Sequence, residues 1–220
     1  MITFNYDLLL ERLLEEEHRN DWHMVDGYGI DIPLTDEAFP TARRVSKRSR
    51  EVPAGWRSKV LLLKLHGSIN WGVPTIAVDK GNVIYRRPSG GGYSMLHRQV
   101  RAPGDVPLTL LFEPVIVPPI VDKSGWLKNQ TFRYLWNMAN QAIQEAKEIT
   151  FIGYSLPPTD FMTEFMFRQA RMGHSQKQVT VISPEATELR LRYEDIFGPG
   201  VCTIAKKFGE WFVGSDIYPR

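Results

Sequence analysis

Five short stretches place polar side chains where an apolar run stops. They are Thr3-Phe4-Asn5-Tyr6-Asp7, His66-Gly67-Ser68, Pro118-Pro119, Gly153-Tyr154-Ser155-Leu156 and Ser183-Pro184-Glu185. An imidazole such as His66 exchanges protons near neutrality, because its ordinary pKa is about 6.5. Gly67 lets the backbone leave a strand sharply, or lets a ligand approach closely. A histidine bonded to a neighbouring carbonyl is the structural alternative. Asn5 and Asp7 flank an aromatic residue where an extended piece gives way to a helix. Either can cap that helix, and an asparagine amide there can also hold a water against a reacting carbon. Gly153, Tyr154 and Ser155 form a turn ahead of a helix whose amides favour anions, with Pro157-Pro158 expected to open that helix. Ser183 and Glu185 can meet a sugar hydroxyl or simply start a helix.

The elements that must position these groups alternate along the chain. Residues 2–5 read as extended and lead into a helix from Tyr6. Leu8, Leu9, Leu13 and Leu14 lie near one face of that helix, and Glu11, Arg12, Glu15, Glu16 and Glu17 supply its charge. Residues 41–60 carry seven basic residues against one acid, Glu51. That stretch reads as a solvated loop, with anion binding the other reading. V-L-L-L-K-L at 60–65 reads as a buried strand. Glycine and proline then punctuate short strand-like pieces at 76–78 and 83–85, so residues 68–114 read as an irregular insertion. Strands are expected at 115–117, 148–154, 179–182 and 201–205. Helices are expected at 127–147, 158–171 and 185–197, the second with an apolar stripe of Phe161, Met162, Phe165 and Met166. A final amphipathic turn carries Phe208, Trp211 and Phe212. This order implies an α/β fold, a Rossmann-like parallel sheet with helices on both faces. Ligands in such sheets bind beyond the carboxyl ends of the strands, where the polar stretches fall.

Composition excludes several classes. A chain of 220 residues with 43% hydrophobic and 24% charged residues has the balance of a globular protein. A net charge of +2 gives no footprint for direct nucleic-acid contact. No apolar run approaches the roughly 20 residues of a membrane span. M-I-T-F-N-Y-D lacks the basic region and apolar core of a signal peptide, so a cytoplasmic location is expected. The single cysteine, Cys202, excludes an internal disulfide and a cysteine-rich zinc site. His18, His23, His97 and His174 have no matching pattern and read as surface residues.

T-F-N-Y-D, L-H-G-S-I-N-W, V-P-P-I-V-D-K-S, F-I-G-Y-S-L-P-P-T-D and V-I-S-P-E, taken in order, resemble the sirtuin-like NAD-binding family. The similarity runs from Ile2 to about Phe197 and is greatest toward the bacterial branch, whose members often hydrolyse NAD in anti-phage defence. It implies NAD as substrate. It places an asparagine beside the nicotinamide ribose at Asn5 and a contact to the nicotinamide amide at Asp7, with Thr3 in the same segment. The family's catalytic His-Gly falls on His66-Gly67. Its turn near the adenosine falls on Gly153, Tyr154 and Ser155, and its ribose-binding Asn-x-Glu matches in part at Ser183 and Glu185.

Two departures shape the expectations. Residues 68–114 hold no cysteine, so the four-cysteine zinc module of deacylating sirtuins is not expected. None of the 17 glycines forms the family's Gly-Ala-Gly-x-Ser phosphate loop ahead of Thr3. The chain is therefore expected to be one sirtuin-like domain, 1–220, lacking its first strand. It would be part of a longer protein, or would associate with itself or with a second chain that donates the strand. NAD hydrolysis leads. NAD-dependent protein deacylation, or a non-catalytic nucleotide-binding or partner module, are the alternatives.

Overall fold

Thr3 and Lys64 lie side by side in a parallel strand pair, although 59 residues separate their strands in the chain. Strand β1 (Ile2–Thr3) pairs with β2 (Leu63–Lys64), Ile2 opposite Leu63 and Thr3 opposite Lys64. In the computed structural model the described residues are 1–24, 26–30, 32, 57–74, 84–86, 96–101, 107–118, 128–171 and 177–213. Expectations for residues 41–56, 76–78, 83, 90–92, 103–104, 119, 127 and 174 lie outside them. The chain divides into two compact units, Met1–Pro118 with Ser124–Trp136, and Pro119–Lys123 with Asn137–Arg220.

In the first unit, β1 leads into helix α1 (Leu9–Glu17). Its inward residues are Leu8, Glu11 and Leu14, whereas Leu9 is 72% and Leu13 49% exposed. The leucine face expected from the sequence is thus rotated, because Glu11 turns inward to meet Lys64. A buried core of Trp22, Tyr28 and Trp71 packs edge to face, with ring centroids 5.7 and 5.1 Å apart.

The region expected to be an irregular insertion begins with a long strand. β3 (Gly67–Pro74), β4 (Tyr85–Arg86), β5 (Leu96–Arg101) and β6 (Pro107–Ile116) form an antiparallel sheet in the order β4-β3-β6-β5. Of residues 115–117, expected in the parallel sheet, Val115 and Ile116 end this antiparallel one: Ser68 sits opposite Val115 and Gly67 opposite Ile116. The alternating burial that marks a strand is obscured here by glycine and proline at Gly67, Gly72 and Pro74.

Helix α2 (Gln130–Glu145) buries Phe132, Leu135, Trp136, Ala139 and Ile143, a helical spacing throughout. The second unit then alternates as expected: β7 (Glu148–Ile152), α3 (Phe161–Arg171), β8 (Gln178–Ile182), α4 (Ala186–Phe197), β9 (Cys202–Ile204) and α5 (Phe208–Val213). Its three strands are parallel in the order β7-β8-β9, each crossover supplied by a helix. An α/β architecture with small parallel sheets is therefore present. Phe151 anchors the unit against Tyr193, Phe167 and Phe197, at 4.8, 5.2 and 5.5 Å between rings. In α3 the inward face is Thr163, Met166, Phe167 and Ala170. Phe161 and Phe165, expected on the buried stripe, face solvent instead.

Candidate active site

The candidate residues of the first unit gather where β1 and β2 end. Leu65 donates its amide to the Thr3 carbonyl at 3.1 Å, which carries the parallel pairing one step past β2. Phe4 lays its ring 5.2 Å from the His66 imidazole, and His66 is only 6% exposed. The His66 carbonyl accepts the Val117 amide at 2.9 Å, and the Leu65 carbonyl accepts Trp136 Nε1 at 3.3 Å. The carbonyls on both sides of the imidazole are thus held by hydrogen bonds.

Gly67 has φ +80°, and a Cβ on it would stand 2.0 Å from the Val115 carbonyl oxygen. The glycine after the histidine is needed for this close approach of β6, a structural reason separate from ligand access. Ser68 and Asn70 are buried on the same strand, and Ser68 Oγ and Asn70 Oδ1 have no hydrogen-bond partner.

The turn from β1 into α1 is also well bonded. Thr3 Oγ1 accepts the Asn5 amide at 3.1 Å, and Asp7 Oδ1 accepts the Leu9 amide at 3.0 Å. Asp7 thus closes a local turn onto the first residue of α1 from just outside the helix, whose N-cap is Leu8. Tyr6 offers its carbonyl to the Ile69 amide at 2.9 Å. The structure brings Thr3, the Asn5–Asp7 turn and the His66–Gly67 corner into one bonded assembly, with Asn5 exposed.

Lys64 was legible in the sequence only as one charge in an apolar run. It is buried with Glu11, Nζ to Oε1 2.6 Å, and Tyr28 donates its hydroxyl to the same oxygen at 3.2 Å. Burial lowers the Lys64 pKa below the ordinary lysine value, against the opposing charges of Glu11 and Asp7.

The second unit has its own assembly at the carboxyl ends of β7 and β8. Gly153, with φ +64°, donates its amide to the Ile182 carbonyl at 2.9 Å. Tyr154 gives its hydroxyl to the buried Asp160 carboxylate at 3.0 Å. Burial first, then the Asp160 charge, pushes the Tyr154 phenol far above its usual range, so it stays neutral. Leu156 is buried in a left-handed conformation, φ 54°. Pro157-Pro158 do not open the helix. Asp160 instead donates its amide to the Pro157 carbonyl, closing a turn, and α3 begins at Phe161.

Helix α4 holds this turn from below. Arg192 Nη1 donates to the Ser155 and Leu156 carbonyls at 2.8 and 3.3 Å, and Tyr193 donates its hydroxyl to the Tyr154 carbonyl at 2.6 Å. Three successive carbonyls of the turn, those of Tyr154, Ser155 and Leu156, are thus engaged by α4. Neither Arg192 nor Tyr193 carried a motif that would have singled it out. Ser183 Oγ bonds Glu185 Oε2 at 2.7 Å and accepts the Glu185 amide at 3.3 Å. That bond holds the Glu185 carboxyl below its usual range.

A family model described as SIR2-like domain matches residues 1–198. The chain belongs to the SIR2-like family. SIR2-like domains bind NAD, and the match spans both groups of candidate residues. Comparison with curated proteins gave no match. Among the described residues of this SIR2-like chain, no three His, Cys, Asp or Glu side chains are grouped to hold a metal ion. No helix among them is long and apolar enough to cross a membrane.

Proposed function

We propose that this SIR2-like domain hydrolyses NAD at the nicotinamide–ribose bond. The observation that carries the reading is the joining of β1 to β2, with Phe4 packed on His66 and Thr3 bonded to Leu65. This union supports one reaction centre built from Asn5, Asp7 and His66. Cleavage of the glycosidic bond passes through an oxocarbenium-like state in which positive charge develops on the ribose. Nicotinamide departs with the bonding electron pair, and water adds to the anomeric carbon. In this reading Asn5 orients that water, His66 takes its proton, and the Asp7 carboxylate holds the nicotinamide amide while also accepting the Leu9 amide. Thr3 and Gly67 shape the backbone around them.

In the second unit, β7-α3-β8-α4-β9 supports the Rossmann-like reading of the fold. The Gly153–Tyr154–Ser155 turn is assigned to the adenosine part of NAD, and Ser183 with Glu185 to ribose hydroxyls. The setting in anti-phage defence and a cytoplasmic location rest on resemblance and composition.

Incubating the full-length protein with NAD, with and without an acyl-lysine peptide, tests this reading. Nicotinamide release from NAD alone is the expected result. Release that depends strictly on the peptide would make the protein a deacylase, and NAD binding without products would make it a nucleotide-binding module.

A further inference from the structure

Lys64 and Glu11 are each 1% exposed, in a region otherwise filled by Trp22, Tyr28 and Trp71. Such pairs seldom repay their desolvation, and apolar residues of similar volume often stabilise a fold as well or better. What an apolar pair lacks is a donor. Lys64 Nζ donates to the Asp7 carbonyl as well as to Glu11, so one ammonium links β2, α1 and the turn that precedes α1. The Ile69 amide holds the Tyr6 carbonyl of the same turn. The turn is therefore clamped to the segment bearing His66 at two points, one on each side of it in the chain.

We propose that Lys64 is a positioning residue, fixing the Asn5–Asp7 turn against the His66 corner through the Asp7 carbonyl. The proposal rests on the reading of Asn5, Asp7 and His66 as the NAD-cleaving set. Glu11 has a different part. Its Oε1 accepts from Lys64 Nζ and from the Tyr28 hydroxyl, and it makes no bond of its own to the turn.

The test separates position from stability. In the full-length protein, Lys64→Met/Glu11→Leu replaces the ion pair by apolar side chains and removes the donor to Asp7. Its unfolding midpoint in urea is expected to stay near that of the wild type. The amides of residues 5–9 should exchange with deuterium faster, and kcat should fall roughly 10- to 100-fold with KM for NAD less affected, as small misplacements do. Glu11→Gln, which leaves Lys64 able to hold Asp7, should keep wild-type exchange at 5–9 and near-wild-type kcat. A folded double variant with unchanged exchange overturns the proposal, and so does a Glu11→Gln variant that loosens the turn. Should the double variant not fold, Lys64→Gln/Glu11→Gln, a neutral polar pair whose shorter side chain at 64 withdraws the donor from Asp7, takes its place with the same two outcomes. Exchange needs no NAD, so a protein silent toward NAD whose turn loosens as expected removes the hydrolase reading and leaves the positioning role standing.

Discussion

The Val115 carbonyl oxygen lies 2.0 Å from where a side-chain carbon on residue 67 would stand, so Gly67 alone lets β6 close on β3. Replacing it by alanine forces an L residue to φ +80° and pushes the strands apart. Left-handed strain costs about 1–2 kcal/mol and overpacking about 1–3. Gly67→Ala should therefore lose roughly 2–5 kcal/mol of stability, the sum of the two. Urea denaturation checks this. A variant as stable as the wild type would mean that β6 does not approach as described.

Alkali should weaken the second unit. Burial raises the pKa of both Tyr154 and Tyr193 above the ordinary 10.0, with Asp160 adding to the effect at Tyr154. Above pH 10.0 the unfolded chain releases these protons while the folded one retains them, so stability is complete below that value and falls above it. Each tyrosine contributes a slope of at most about 1.4 kcal/mol per pH unit. Denaturant midpoints measured across that range should decline, and Tyr154→Phe/Tyr193→Phe should flatten the decline.

On the acid side, Ser183→Ala should raise the Glu185 pKa toward its ordinary 4.5, since the Ser183 hydroxyl is the main cause of its depression. The stabilisation from this bond is present above 4.5 and lost as pH falls through the lower folded value. Carboxyl carbon shifts followed by NMR titration report both midpoints. Identical midpoints in the two proteins would show that the hydroxyl does not govern Glu185.

Arg192→Ala should release the Ser155 and Leu156 carbonyls while leaving the aromatic core around Phe151 intact. Losing these bonds should weaken NAD binding by roughly two- to tenfold per bond. Calorimetric titration checks it, and unchanged affinity would detach the turn from the ligand.

The alternation of β7 through β9 was legible because short apolar runs there are separated by polar helices of ordinary length. So were the ends of those strands, where Gly153 and Ser183 were expected and found. Helix faces were less legible. Leucine occupies both sides of α1, and the residue that turns Glu11 inward is Lys64, 53 positions away. In α3, Phe161 and Phe165 carry more apolar surface than Thr163, yet Thr163 is the buried one. Local periodicity cannot report partners so distant in sequence. The antiparallel sheet was hidden for a related reason: Gly67 marks a close approach by Val115, which only the folded chain reveals. At the candidate site, the sequence offers residues able to do proton or amide chemistry and carries no signal for Lys64, Arg192 and Tyr193, whose side chains bond the neighbouring backbone carbonyls.

In the proposed reaction His66 serves as the base for NAD cleavage. That role is tested most directly by nicotinamide release from saturating NAD, comparing full-length wild type with His66→Ala at equal folded fractions. Wild type should release nicotinamide, and the variant should be slower by roughly 100- to 10,000-fold, the contribution of a positioned base. Undiminished release by folded His66→Ala, or none from the wild type, would rule out that role.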